Sequence, residues 1–169
     1  DERWYTRARW DHMYVLPKEE GKPEAGYWGY IVAVSRESNQ LPAMMESRDG
    51  LKWEALPPCQ VEWGNTPPIG YLEYGGCERI GGKYYLIGGV SSFTSGTGNT
   101  FLGTEVNGYA NFTFVADDPR GPFRPAGDKF RLSGNSGRFV TWLPAWCRGK
   151  DELLISDYAS LPACGGDGI

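Results

Sequence analysis

The stretch Glu73-Tyr74-Gly75-Gly76-Cys77-Glu78-Arg79-Ile80-Gly81-Gly82-Lys83-Tyr84-Tyr85-Leu86-Ile87 reads as two strands joined by a tight turn. Gly81-Gly82 supplies the turn, and Tyr84 to Ile87 is an apolar run rich in aromatic and branched side chains. The arrangement recurs twice. Glu152-Leu153-Leu154-Ile155 follows a turn through Arg148-Gly149-Lys150, and Tyr30-Ile31-Val32-Ala33 follows Gly26 after a Pro- and Glu-rich loop at Pro17 to Glu24. Each run sits behind an earlier strand: Asp11 to Leu16, Glu73 to Ile80, and Thr141 to Cys147. Aligning Tyr84 with Glu152 gives an offset of 68 residues, which sets Glu73 on Thr141; the first unit begins 62 residues before Glu73, at Asp11. Such self-similarity marks a repeat architecture.

A second signature closes the first two units. Met45-Glu46-Ser47-Arg48-Asp49-Gly50-Leu51-Lys52-Trp53-Glu54 and Phe114-Val115-Ala116-Asp117-Asp118-Pro119-Arg120-Gly121-Pro122-Phe123 each end a strand in an Asp-containing turn, with an aromatic shortly after. Asp and Gly suit these turns because one hydrogen-bonds the backbone and the other tolerates positive φ. Each unit therefore amounts to about four strands, the size of a propeller blade. The expected fold is all-β: a β-propeller of four-stranded antiparallel blades, with residues 1–169 forming one partial propeller whose units start near 11, 73 and 141. Propellers close with about four to eight blades. Two complete blades and part of a third are expected here, with another segment or chain completing the ring. The competing reading is coincidental strand spacing in a compact β-sandwich.

Composition agrees with many short strands and turns. The 169 residues include seven Trp, ten Tyr, seven Phe, 24 Gly and 12 Pro, and no stretch holds a helical apolar period for three turns. The net charge is −4 and the basic residues are scattered, which argues against nucleic acid or an anionic membrane surface as partner. No apolar run is long enough for a spanning helix. Cys59, Cys77, Cys147 and Cys164 form no Cys-x-x-Cys pair, and His12 is the only histidine. A zinc site is poorly supported, and the cysteines are too sparse for a disulfide framework. Asn111-Phe112-Thr113 is a glycosylation sequon. Ser91 to Thr100 is rich in Ser, Thr and Gly without apolar anchors and reads as a mobile loop.

Two acidic residues head the repeated strands. Asp11 lies two places after Arg9, whose guanidinium is expected to keep it ionised. Glu73 opens the equivalent strand of the next unit, and Gly75-Gly76 after it are expected to leave room for a ligand near the backbone. Strand alternation puts Glu73, Gly75 and Cys77 on one face and Glu78 on the other. Glu73 is therefore preferred to Glu78, whose expected role is a surface salt bridge with Arg79 or Lys83. Two carboxylates on neighbouring inner strands at one mouth of a propeller are what glycoside hydrolysis needs. Trp10, Trp28, Trp63 and Trp142 are candidate sugar platforms, Trp10 foremost because it adjoins Asp11. Thr141 and Trp142 open the third inner strand.

These residues resemble five-bladed propeller glycosidases, glycoside hydrolase families 32 and 43 and their relatives. Glu73 through Leu86 is similar to the segment carrying their general acid, where a Gly and an aromatic-rich strand follow about nine residues after the Glu. Arg9-Trp10-Asp11 resembles their Arg-Asp-Pro element, and Ser47 to Trp53 the turn that ends their blades. The resemblance implies Glu73 as general acid, Asp11 as transition-state stabiliser, and Arg9, Trp10, His12, Tyr74, Thr141 and Trp142 as substrate contacts. It covers most of residues 7–160 with departures: Trp10 separates Arg9 from Asp11, His12 stands for proline, and Gly75-Gly76 replaces the proline after the Glu. The families' first-blade Asp, nucleophile or base, has no counterpart and would lie before Asp1. The resemblance thus implies a fragment lacking the first blade, and an isolated chain with an incomplete acid set.

The function expected is hydrolysis of an oligo- or polysaccharide. No cofactor or metal is expected, save that a structural calcium would suit a propeller's central channel, and a secreted or periplasmic setting is favoured. The alternatives are a non-catalytic carbohydrate-binding propeller and a sialidase-like one. Against the latter, Gly50 and Trp53 fall one position too early for Ser-x-Asp-x-Gly-x-x-Trp, and no arginine triad is evident.

Overall fold

The computed structural model describes residues 2–37, 41–66, 68–69, 72–90, 100–101, 104–105, 110–134 and 140–160. Strand β1 (Tyr5–Pro17) begins a four-stranded antiparallel sheet with β2 (Tyr27–Ser35), β3 (Ala43–Ser47) and β4 (Glu54–Leu56), ordered as in the sequence. The second sheet opens with β5 (Glu73–Ile80) and β6 (Lys83–Val90). A small hairpin of β7 (Thr100–Phe101) and β8 (Thr104–Glu105) intervenes before β9 (Ala110–Ala116) and β10 (Arg124–Pro125) complete the order β5-β6-β9-β10; β11 (Arg131–Gly134) also pairs with β9. Strands β12 (Val140–Arg148) and β13 (Leu153–Ser160) form a third antiparallel pair.

The fold is all-β, and its sheets follow one another along the chain as successive propeller blades do. Strands join mainly to their sequence neighbours, whereas a sandwich would exchange strands between two facing sheets. The three inner strands expected from the repeat are β1, β5 and β12. Glu73 is the first residue of β5 and Thr141 the second of β12, but β1 starts at Tyr5, so Asp11 lies in mid-strand.

The core fills the seam between the first two sheets. Leu16, Tyr30 and Met44 from one side meet Tyr74, Cys77, Leu86, Phe112 and Phe114 from the other, all nearly excluded from water. Phe114 stands at the centre of an aromatic cluster, with ring centroids 5.1 Å from Phe130, 5.6 Å from Trp63 and 6.1 Å from Tyr74. The first two pairs are edge-on and the third tilted, and such pairs add to the burial term.

The turn after β3 is built as its sequence suggests. Ser47 Oγ accepts from the Gly50 amide at 2.9 Å, and Asp49 Oδ1 accepts from the Leu51 and Lys52 amides, each at 2.8 Å. Gly50 has φ +75°. Those amides hold the Asp49 carboxyl below its ordinary pKa.

All three inner strands carry register irregularities: β1 between Tyr5 and Trp10 and again between Trp10 and Met13, β5 between Tyr74 and Gly76, and β12 between Trp142 and Ala145. The one in β5 overturns the strict alternation expected there. Tyr74 and Cys77 stand three apart, yet both bury their side chains in the same core. The extra residue shifts the pattern by one, so Glu78 turns away from Cys77, toward the side of Glu73. The expected room for a ligand beside the glycines is also filled by the protein. A Cβ on Gly75 would lie 1.5 Å from the Pro144 carbonyl oxygen, and one on Gly76, at φ +108°, 2.2 Å from Cγ of Tyr14. Glycine is needed here because β1 and β12 press against β5.

Of the remaining expectations, Asn111 of the sequon is fully buried in β9, so the folded chain does not offer it to a glycan. Cys59, Cys77 and Cys147 are free thiols, the first two buried. Cys164 and the Ser91–Asn99 part of the expected loop lie outside the described residues.

Candidate functional site

The leading part of β5 lies beside β1, and a single guanidinium joins the two strands. Arg9 Nη2 lies 2.6 Å from Asp11 Oδ2 and 2.7 Å from Glu73 Oε1, and Arg9 Nε donates to Asp11 Oδ2 at 2.8 Å. Arg9 and Asp11 share a strand, and the register irregularity between Trp10 and Met13 interrupts regular pairing beside them. Irregularities of this kind re-aim side chains and gather near functional sites. The side chain of Glu73 is 13% exposed and that of Asp11 47%, so one carboxylate is sheltered and the other open. The bond to Glu73 is the main cause, and that to Asp11 the next favourable one, holding the Arg9 guanidinium above its ordinary pKa. Sequence reasoning paired Arg9 with Asp11 alone; in the structure Arg9 bridges both acids.

The other expected contacts divide. Trp10 is 41% exposed beside Asp11; its indole N–H donates to the Thr6 carbonyl at 3.2 Å and its ring packs edge-on to Tyr5. His12 lies on the surface, with Nε2 3.0 Å from the Tyr74 carbonyl oxygen. A carbonyl only accepts, so this nitrogen carries the hydrogen. Tyr74 itself turns into the core, 2% exposed, and only its backbone faces His12. Thr141 and Trp142 pair with Ala159 and Tyr158 at the start of β12; their side chains lie outside the described residues. Trp63 is half-buried and packs against the core beside Phe114 and Phe130.

A second ionic cluster escaped the sequence reading. Glu78, expected at the surface, is 1% exposed. It accepts from the Tyr14 hydroxyl and from Arg148, whose Nε lies 3.1 Å from Glu78 Oε1 and whose Nη2 pairs with Oε2. One carboxylate thus ties the three inner strands β1, β5 and β12 together. Burial, then the bond to Glu78, raises the Tyr14 phenol above its ordinary pKa. The bond to Glu78 is likewise the largest influence keeping Arg148 charged. The only sequence signal for this arrangement is the double glycine that sets the bulge. Among the described residues, no group of three His, Cys, Asp or Glu side chains could hold a metal ion.

Chemically, the Arg9 cluster offers two carboxylates of unequal exposure, a shared cation and a half-open indole. That set can donate a proton to an oxygen, stabilise developing positive charge and pack against an apolar sugar face.

No family model matches the sequence, and no curated protein matches it. Among solved structures, the fold is similar to that of an exo-β-1,3-galactanase from Phanerochaete chrysosporium, crystallised with β-1,3-galactotriose, with a TM-score of 0.51 at 12% identity. The match covers 98% of this chain and 39% of the galactanase chain. The likeness is one of fold: the sheets of this chain follow the path of a β-propeller glycoside hydrolase.

Proposed function

We propose that this chain is part of a glycoside hydrolase that cleaves an oligo- or polysaccharide with Glu73 and Asp11. The observation that carries the reading is the cluster in which two carboxylates, distant in sequence, meet on one guanidinium at adjacent strands. Glycoside hydrolysis needs one carboxyl to protonate the departing oxygen while another carboxylate opposes the developing oxocarbenium charge. Glu73, the sheltered member, takes the first role. Asp11, open and held by two nitrogens of Arg9, takes the second. In the resting arrangement Arg9 engages Glu73 through Oε1, so proton delivery to the leaving oxygen falls to Oε2. Trp10 supplies an apolar platform beside Asp11, His12 lies next to it, and the backbone of Thr141 and Trp142 opens the third inner strand.

The remaining acid or base belongs, in this reading, to a further segment or partner chain of a five-bladed ring, and the chain alone turns over substrate poorly. The galactanase similarity makes β-1,3-linked galacto-oligosaccharides the first substrates to test. In the full-length protein, Glu73→Gln is expected to slow cleavage of a natural glycan by roughly 10²–10⁴ while sparing activated aryl glycosides, whose leaving groups need no proton. Asp11→Asn is expected to slow both alike. Wild-type activity of Glu73→Gln on a natural glycan, or leaving-group dependence in Glu78→Gln instead, overturns the assignment. The closure of Arg9 on both acids favours one second reading, a propeller that binds sugars without cleaving them; that reading predicts glycan binding and no hydrolysis by the full-length protein.

A further inference from the structure

A cleft of about 510 Å³ opens at the far end of the seam between the first two sheets. Arg9 and Glu73 lie toward the starts of β1 and β5, whereas this cleft lies where β1 and β9 end. There Leu16 pairs with Trp28, Trp28 with Glu46, and Tyr84 with Ala116. Trp28 and Glu46 line it from the first sheet, Asp118 and Arg120 from the turn after β9, and Pro57 and Gln60 from the connector between the sheets.

The lining is held in place from behind. The Lys18 ammonium sits 4.0 Å from the centroid of the Trp28 ring and 2.8 Å from Glu46 Oε2. The Tyr30 hydroxyl donates to the Pro119 carbonyl at 2.7 Å, fixing the turn, and the Phe123 amide donates to the Gln60 carbonyl at 2.8 Å, fixing the connector. Asp118 pairs with Arg120 at 3.2 Å. Each carboxylate of the cleft therefore carries its own cation, and the charges of Lys18, Glu46, Asp118 and Arg120 sum to zero.

We propose that this cleft is a second, non-catalytic binding site for a neutral oligosaccharide. An indole offers surface to the C–H face of a sugar ring. Carboxylate oxygens and the Gln60 amide oxygen accept from hydroxyls, and the Arg120 guanidinium and the second hydrogen of Gln60 Nε2, whose first goes to Glu37 Oε2 at 3.3 Å, donate to them. The volume falls within the roughly 300–1,000 Å³ of small-ligand sites, and apolar walls with a few convergent polar groups are their usual make-up. The balanced charge selects against uronate or sulfated chains, which would meet Glu46 and Asp118, and against cationic chains, which would meet Arg120. The site does not depend on catalysis at Glu73. A polymer held at both ends of the seam gains avidity from the effective concentration of the second contact.

The test is a titration of the ¹⁵N-labelled full chain with three neutral probes, β-1,3-galactotriose, β-1,3-glucotriose and cellotriose, with trigalacturonate as the anionic control. At least one neutral probe is expected to shift the Trp28 indole N–H with a Kd on the order of 0.1–1 mM. The shift should persist in Glu73→Gln. It should weaken roughly five-fold or more in Arg120→Ala and in Gln60→Ala, each of which removes a side-chain hydrogen bond while leaving the backbone contacts in place. Absence of any Trp28 shift up to about 10 mM of every neutral probe overturns the proposal. So does tighter binding of trigalacturonate, or a response confined to Trp10 and the Glu73 strand; that last result would leave the catalytic reading standing.

Discussion

Glu78 and Glu73 sit five positions apart on one strand and have opposite surroundings. Glu73 faces a half-exposed arginine at the edge of the seam, and Glu78 is sealed between a phenol and a guanidinium from two other strands. A buried carboxylate tolerates its desolvation only while those partners stay, and removing one costs more than the pair contributes. Arg148→Ala is therefore expected to destabilise the chain by about 2 kcal/mol, below the usual range for a buried pair because the Arg148 side chain is 46% exposed. Urea unfolding measures this directly. Arg148→Ala, Glu78→Gln should recover part of the loss, since a neutral amide has no charge left to pair. Lack of recovery would mean that Arg148 acts through packing instead. Of the two carboxylates, the sequence disclosed only Glu73, which heads a strand. The partners of Glu78 come from 64 and 70 residues away, and no local pattern announces such distances.

At the scale of the strand, the fold was easier to read than the orientation of individual residues. Paired apolar runs behind glycine turns announce hairpins, and their recurrence announces successive sheets, because both signals are local. Which face a side chain takes depends on counting every residue, and one bulge reverses the count beyond it. Gly75-Gly76 was visible, but its meaning was not. It could equally have made room for a ligand, and only the packing of Pro144 and Tyr14 settles which. Gly75→Ala must displace the backbone of β12, so a loss of about 2–3 kcal/mol is expected, the cost typical of overpacking. Gly81→Ala meets no atom within 4 Å, but its φ of +57° adds a backbone penalty of its own, and it should cost less. Thermal melts of the two variants give the comparison, and equal losses would show that β12 does not press on β5 in solution.

For the molecule as a whole, tyrosines fill the interior as much as aliphatic side chains do: Tyr30 and Tyr74, with the half-buried Tyr14, at the seam between the first two sheets, and Tyr5 in a separate cluster with Ile31 and Ala43. All four phenols are raised above the ordinary value near 10, with burial as the leading cause. A group whose pKa is raised by folding contributes stability that is fully present below its unfolded pKa and is lost as pH rises toward the folded one. The chain should accordingly hold its stability to about pH 10 and lose it steeply above. In an alkaline titration followed at 295 nm, these four phenols should ionise only together with loss of the strand circular dichroism signal. Ionisation of all ten tyrosines before unfolding would show that the seam admits water freely.

The recurrence of a bulge in each inner strand has a consequence for how such a chain can be altered. On the two sides of the bulge in β5 the strand runs in opposite phase, so the end that carries Glu73 and the end that carries Cys77 are addressed separately. Deleting a single residue within Tyr74–Gly76 would remove the extra residue and restore strict alternation, leaving Tyr74 and Cys77 in the seam and Glu73 off it, but would abolish the close fit of the glycines against Pro144 and Tyr14. Exchanging whole segments cut at the bulges would preserve the phase of both halves. The bulges are thus the natural splice points of this protein: one strand end can be recombined between units there without rewriting the core below it.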